Sequence, residues 1–462
     1  MLINQLKNLS DEGVFYCIWK NIQNYFDENS EPYDLDIYIY PKHSQKAFQL
    51  LKKNGWIRVF NPVAEYKSIR HYFLFNLERT YHLHIYIGLR TGDSWLKNYY
   101  FPIDRFIMNN TYKDNNDIMI LSKSSYYIIF MMRMIIKNST LIGRYLYKNS
   151  KEKYIQENLY FNDELVDIND LKSLDVELRN FIDLIYKNEI HFKEIPNLME
   201  SKKIAKIFNK FSLINTRTIL IRQIFSLIIR LSNKLIFRLK KIPFKKGNII
   251  VFYGTDGCGK SSLVSASANI FKKVIPTSTA HLGKPFSGLF LFDKILYRNP
   301  KSNKSEKLNE KKIIFFSLIK TTSLSLLRLL SSYIQLFKSK LGLIVISDRW
   351  PVEGYSNIDG PKKYNSKKFK IAIGFFNWIN LFIYKLMPKA DLSIFLDVDL
   401  EGILIRNSNR NQSEPEDFIR KRYDQVRTLN LKSKKKIIYK NYKSLDQATN
   451  DCLYLIASFI ED

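Results

Sequence analysis

Eight residues, GTDGCGKS from Gly254 to Ser261, carry the spacing G-x-x-x-x-G-K-[ST]. Glycines at positions 254, 257 and 259 let the main chain bend until successive N–H groups face one point. A helix starting directly behind them adds its positive N-terminal end. This is chemistry for holding a chain of phosphates. Lys260 is expected to reach the β- and γ-phosphates of a bound triphosphate, and the Ser261 hydroxyl to sit on Mg²⁺, with Ser262 beside it as a further cofactor-binding candidate. Cys258 lies inside the loop. A thiol there could be activated by its cationic surroundings, but the loop works through its main chain, so Cys258 is read as a small filler.

Other residue sets also suggest chemistry. IVISDRW places Asp348 and Arg349 at the end of an apolar run. An acid in that position can hold the water shell of Mg²⁺, and the neighbouring arginine can grip a second phosphate bidentately. Arg406 and Arg410 follow LDVDLEGILI, with Arg420 and Arg422 on the next helical stretch. Arginines on such a segment can close over a transferring phosphoryl group. Asp34 and Asp36 in YDLDIYI stand two apart, so on a strand both carboxylates project from one face, where they could hold a divalent metal. His82 and His84 are further metal-ligand candidates there.

The elements that must position these groups follow from hydrophobic period. GNIIVFYG, LGLIVISD and ADLSIFLDV are near-continuous apolar runs separated by helical patterns such as KSSLVSASANIFKK. They predict a parallel α/β sheet covered on both faces. Earlier in the chain, DLDIYIY, HYFLFNL and YHLHIYIG alternate as strands, while IWKNIQNYF (18–26) and HSQKAFQLLKKNGW (43–56) read as helices, the second closed by Gly55. The expected organisation is therefore a small α+β domain over 1–118, a helical middle region over 119–243 and an α/β domain over 244–462. In the middle region, 216–241 reads as a basic amphipathic helix. Its arginines and lysines could lie on an anionic membrane surface, or the helix could pack on its own domain with its charges in water. The packed arrangement is the expectation.

GTDGCGKS, then SDRW, then LDVDLEGILIR with an arginine-bearing helix behind it, resembles the thymidylate kinase branch of the nucleoside monophosphate kinases over roughly 247–462. The resemblance implies a P-loop NTPase sheet, ATP as phosphoryl donor and Mg²⁺ as cofactor. It also implies that Asp256 helps place the acceptor, that Arg349 binds the acceptor phosphate, and that Arg406 and Arg410 belong to a lid. Where that family carries R-E-P-G-G, this chain has TSTAHLGKPFSG, and DRWPVEGYSNIDGPKKY replaces the segment that reads the base. The donor side is kept and the acceptor side rewritten. The implied acceptor is a nucleoside monophosphate such as dTMP, or a sugar or polyol phosphate of the kind used in surface-polysaccharide synthesis. The N-terminal region resembles a minimal nucleotidyltransferase. It lacks the Gly-Ser before D-x-D, and His82 or His84 stands where the third acid belongs, which implies a degenerate domain used for recognition.

Composition bounds the rest. The 462 residues allow two to four domains, and 45% hydrophobic with 25% charged residues excludes general disorder. The net charge of +29 suits phosphate or anionic-lipid partners, although lysines spread along an Ile/Lys/Asn-rich chain also reflect coding bias. Aromatic residues lie in the apparent core strands instead of alternating with a basic patch, so nucleic acid is not the expected partner. Cys17, Cys258 and Cys452 have no metal or disulfide spacing. The N-terminus lacks a signal-peptide pattern. No uncharged apolar run reaches ~18–20 residues, and the longest candidate, 371–384, reads as a buried helix. The expected location is cytoplasmic; peripheral contact at the inner membrane face through 216–241 is the alternative to the packed arrangement. Three functions compete at this level: a phosphotransferase acting on a small phosphorylated or hydroxyl acceptor, an ATP-binding adaptor with no small-molecule acceptor, and, behind both, an active nucleotidyltransferase fused to a kinase.

Overall fold

Strands followed by a run of helices build the first half of the chain, and strands, three of them near-continuously apolar, alternating with helices build the second. The structure is a computed structural model. It describes all residues except 27–31, 94, 160–173, 188–197, 216–217, 238–240, 284, 286–309, 353, 355–359, 365–368, 409–413 and 462. The chain separates into two compact units, Met1–Phe244 and Lys245–Ile460.

The first unit is built on strands β1 (Tyr16–Lys20), β2 (Asp34–Ile39), β3 (Ile57–Phe60), β4 (Ile69–Phe75), β5 (Thr80–Ile87), the short pair β6 (Leu89–Thr91) and β7 (Tyr99–Phe101), β8 (Thr111–Lys113), β9 (Met119–Leu121) and β10 (Ile242–Pro243). Eight of them form one mixed sheet in the order β10-β3-β4-β5-β2-β1-β9-β8. The expected helix over 18–26 is instead β1 followed by a single 3-10 turn, Ile22–Asn24. Ile18 pairs with Ile37, the register shifts after it, and Asn21 takes a left-handed φ of 54°. Burial of Cys17, Ile18 and Trp19 in the core overrides the helical period. The Ser44–Lys53 helix stops where expected, with Gly55 at φ 79°, a conformation glycine reaches without strain.

The helices after residue 119 pack into this same unit. Ser122 caps the Lys123–Asn138 helix, accepting from the Ser125 N–H at 3.4 Å, and that helix is buried on nearly every side. Its Arg133 pairs with Glu157 at 2.7 Å, both wholly buried, and Tyr126 also donates to Glu157 at 2.9 Å. The Ile219–Ser232 helix reverses the expected arrangement. Its polar residues Gln223 and Ser226 are buried, while Ile221, Phe225 and Ile228 face outward.

The second unit carries a five-stranded, wholly parallel sheet: β11 (Ile249–Tyr253), β12 (Thr277–Ala280), β13 (Ile344–Ser347), β14 (Ala390–Asp397) and β15 (Ser433–Lys440), in the order β12-β13-β11-β14-β15. The strands are joined through helices, the arrangement a parallel ladder requires. The 371–384 segment is helical, within Lys370–Leu386, but it is not a buried helix. Ile371 is 92% exposed and Phe375, Trp378 and Phe382 also face outward, while Asn377 and Asn380 are buried. The reason lies in the partners: Asn377 holds both the N–H and the C=O of Tyr364, at 3.2 and 3.0 Å, and Asn380 donates to Thr322 at 3.2 Å. The Glu310–Lys340 helix contains a 27-residue stretch, Ile314–Lys340, long and apolar enough to cross a membrane by length and composition alone. Lys320 and Arg328 interrupt it, and a search for uncharged runs passes over it.

Candidate functional site

The loop from Gly254 to Ser261 leaves the C-terminal end of the central strand β11 and enters the Lys260–Phe271 helix. Gly257 and Gly259 have φ of 96° and 94°, in the region glycine tolerates best. A Cβ built on Gly254 would lie 2.6 Å from the Cys258 sulfur and 2.9 Å from the Leu396 carbonyl, so that position also excludes a side chain. Lys260 folds back over this turn, donating to the carbonyls of Gly254 at 2.9 Å and Thr255 at 2.8 Å, with Asp256 at 3.4 Å. Cys258 is buried, and burial raises its thiol pKa. That favours the neutral form and agrees with a filler role. Its carbonyl accepts from Asn441 at 2.8 Å, and the Asn441 carbonyl in turn accepts from Arg406 at 3.1 Å. Arg406 thus braces the loop through Asn441 and the strand end. Arg410 lies outside the described residues.

Parallel pairing of β13 with β11 sets Ser347 beside Val251, so Asp348 emerges next to the helix start. Its carboxylate accepts from the Ser261 hydroxyl at 3.3 Å and lies 2.6 Å from His281 Nδ1. Burial pushes the Asp348 carboxyl up, but His281, Arg349 and Ser261 outweigh it and hold the group below the usual carboxylate range. An ionised carboxylate and a hydroxyl side by side are hard oxygen donors suited to Mg²⁺ and its waters.

Asp256 is the electrostatic centre of the site. Lys260 lies at 3.4 Å, Arg349 at 3.8 Å, and Arg422 contacts its second oxygen. Burial raises the Asp256 carboxyl, yet Lys260, Arg422 and Arg349 together lower it below its ordinary value. A cleft opens over these residues, lined also by Trp350, Val352, Val426 and Leu431. Sequence patterns singled out Lys260, Ser261, Asp348 and Arg349, and the structure brings them together with Asp256. Ser262 lies exposed on the same helix start. Arg422, also singled out in the sequence as one of the arginines after the last strong strand, joins this set at Asp256, whereas His281 and Asn441 come from segments far apart in the chain, and only the fold reveals their place.

In the first unit, the parallel register sets Asp34 beside His82 and Asp36 beside His84, so the two carboxylates do share a face. Their valences are already used. His82 Nδ1 lies 2.7 Å from Asp34 and its Nε2 3.0 Å from His71, while His84 Nδ1 lies 2.8 Å from Asp36. Asp36 also accepts from Lys20 at 3.0 Å and from Asn21. Burial raises Asp36, but Lys20 and His84 bring it well below the usual range, and burial depresses the His84 imidazole to about 4. A fixed ammonium therefore neutralises the second aspartate. Among the described residues no group of three or more His, Cys, Asp or Glu side chains is arranged to hold a metal, so the candidate ligand set of Asp34 and Asp36 with His82 or His84 is not assembled.

No protein-family model matches the chain, and no curated protein does. Among solved structures, the chain is similar to a thymidylate kinase from Candida albicans, with 20% identity, a TM-score of 0.28, and coverage of 46% of this chain and 91% of that one. It is also similar to a sugar kinase from Janibacter sp. HTCC2649, with 13% identity, a TM-score of 0.25, and coverage of 45% and 92%. With identities this low and TM-scores below 0.5, neither likeness bears on activity. The second unit is an α/β domain with a five-stranded parallel sheet and a glycine-rich corner between its central strand and the following helix.

Proposed function

We propose that the second unit is a Mg²⁺- and ATP-dependent phosphotransferase acting on a small anionic acceptor. The observation that carries this reading is the loop itself: two left-handed glycines, a strand-to-helix corner and a lysine whose ammonium is parked on main-chain carbonyls of the same turn. A neutral carbonyl is a weaker acceptor than a charged phosphate oxygen, so Lys260 can exchange its present partners for the triphosphate. Ser261 and Asp348 would hold the Mg²⁺, which supplies charge neutralisation at the β- and γ-phosphates. Arg349 and Arg422, gathered on Asp256 above the cleft, provide fixed positive charge for the acceptor phosphate and for the transferring group. Catalysis of this kind rests on position and electrostatics and needs no covalent intermediate.

The acceptor side joins two arginines to an apolar wall containing Trp350. That combination supports an acceptor with a phosphate at one end and a planar or apolar part at the other, as in a nucleoside monophosphate. A sugar or polyol phosphate would use the arginines and leave the wall unmatched. The test is a screen of nucleoside monophosphates against sugar and polyol phosphates with γ-labelled ATP and the full chain, with Lys260→Ala as control. Label should pass to at least one acceptor and fall by roughly 10²–10³-fold in the variant, the cost of removing one preorganised charge donor. ATP binding with no labelled product from any acceptor would instead favour the adaptor role.

A further inference from the structure

Amphipathic helices ordinarily turn their apolar stripe inward. The Ile219–Ser232 helix does the opposite. Leu220, Ile221, Ile224, Phe225, Ile228 and Ile229 recur at the spacing of a single helical face, and each is between 44% and 64% exposed. Gln223, Ser226 and Arg230 face the protein instead. Gln223 and Ser226 are buried, Gln223 donates to Asp93, Arg230 donates to Ser226 at 3.3 Å, and the Arg230 guanidinium sits 5.7 Å from the Trp95 ring. These contacts fix which side points outward, so the apolar face is held in place by specific bonds. An exposed apolar stripe of this extent marks an interaction surface.

Charge identifies what covers it. From Ser201 to Thr255 the sequence has 13 Lys and Arg and no Asp or Glu. Arg222 and Lys234, at the two ends of the face, are exposed. A second copy of the same face would bring like charges together with no acid to pair them, an arrangement that costs affinity. A surface both apolar and negatively charged satisfies both features. At 1.5 Å per residue a 14-residue helix is roughly 21 Å long, short of the ~30 Å hydrocarbon core, so it suits an orientation in the plane of a bilayer interface. We propose that this helix docks the protein on anionic phospholipid, with the six apolar side chains entering the acyl boundary and Arg222 and Lys234 at headgroup level. The inference is independent of the phosphotransferase reading.

The experiment is co-sedimentation of the full chain with vesicles of phosphatidylcholine alone and of phosphatidylcholine mixed with phosphatidylglycerol. Binding is expected to the mixed vesicles and to weaken as salt is raised. The combined variant Ile224→Ser, Phe225→Ser, Ile228→Ser changes only exposed side chains, and its thermal unfolding checks that it folds. It should reduce binding roughly tenfold or more, and Arg222→Glu with Lys234→Glu should do the same. Equal binding to both vesicle types, no binding to either, or binding that survives both variants would overturn the proposal. So would a wild-type dimer that the apolar variant converts to monomer in the absence of vesicle binding, which would assign the face to a second copy.

Discussion

Three cations converge on Asp256, and Arg422 is the one with the most specific consequence. Lys260 and Arg349 belong to recognisable motifs, whereas Arg422 comes from the Glu416–Arg427 helix and meets Asp256 across 166 residues of chain. On the reading above, Arg422→Ala should lower kcat/KM for the acceptor by about 10²-fold and leave ATP affinity nearly unchanged. A parallel loss of ATP affinity would move Arg422 to the donor side. At the same scale, the buried Arg133–Glu157 pair offers a stability test. Glu157→Gln leaves a buried guanidinium without its counter-charge and should cost about 3–5 kcal/mol, read from the urea midpoint. Burial raises the Glu157 carboxyl, but Arg133 and Tyr126 lower it below its ordinary value. Its contribution is therefore complete above the unfolded pKa of about 4.3 and is lost as pH falls through the lower folded value. Acidification should destabilise the wild type and narrow its difference from the variant.

At the scale of elements, the phosphate loop was legible because its chemistry is local. Glycine spacing, an apolar strand before it and a helical pattern behind it all lie within about two dozen residues. Gly259→Ala puts an L-residue at φ 94° with its Cβ 3.2 Å from Asn441 Nδ2. The strain of about 1–3 kcal/mol should appear both as lost stability and as weaker ATP binding, measured by urea unfolding and by titration. Three element-level readings failed for tertiary reasons. The 18–26 segment has helical period but is drawn into the sheet by pairing with β2. The 371–384 segment reads as a buried helix, yet only one side of it is buried, where Asn377 and Asn380 lie beside Ile373, Ile383 and Tyr384; within 216–241 the stripe that reads as packed faces outward, and Gln223 and Ser226 are buried instead. Hydrophobic period reveals that a face exists and leaves open which way it points. The residues that complete the site, His281 and Asn441 among them, carry no local signal at all, because only the parallel strand order brings them to the loop.

At the scale of the whole molecule, two units with separate cores should respond to ligand separately. Calorimetry of the full chain should resolve two transitions, and Mg²⁺ with ATP should raise only the one belonging to Lys245–Ile460, by about 2.7 kcal/mol at a hundredfold excess over Kd. A rise in both transitions would place a nucleotide site in the first unit as well, reopening a role for Asp34 and Asp36 despite their engagement with His82, His84 and Lys20. The net charge of +29 is not spread evenly. The acid-free stretch 201–255 includes the exposed apolar helix and runs into the phosphate loop, so charge that looked like coding bias over the whole chain has a local concentration.

The most direct test is equilibrium titration of Mg²⁺–ATP into the full chain and into Lys260→Ala. Saturable binding by the wild type, weakened a hundredfold or more in a variant that still unfolds cooperatively at an unchanged urea midpoint, is the result expected of a loop built to hold a triphosphate. Equal affinity in the two proteins, or no binding by the wild type, would contradict it.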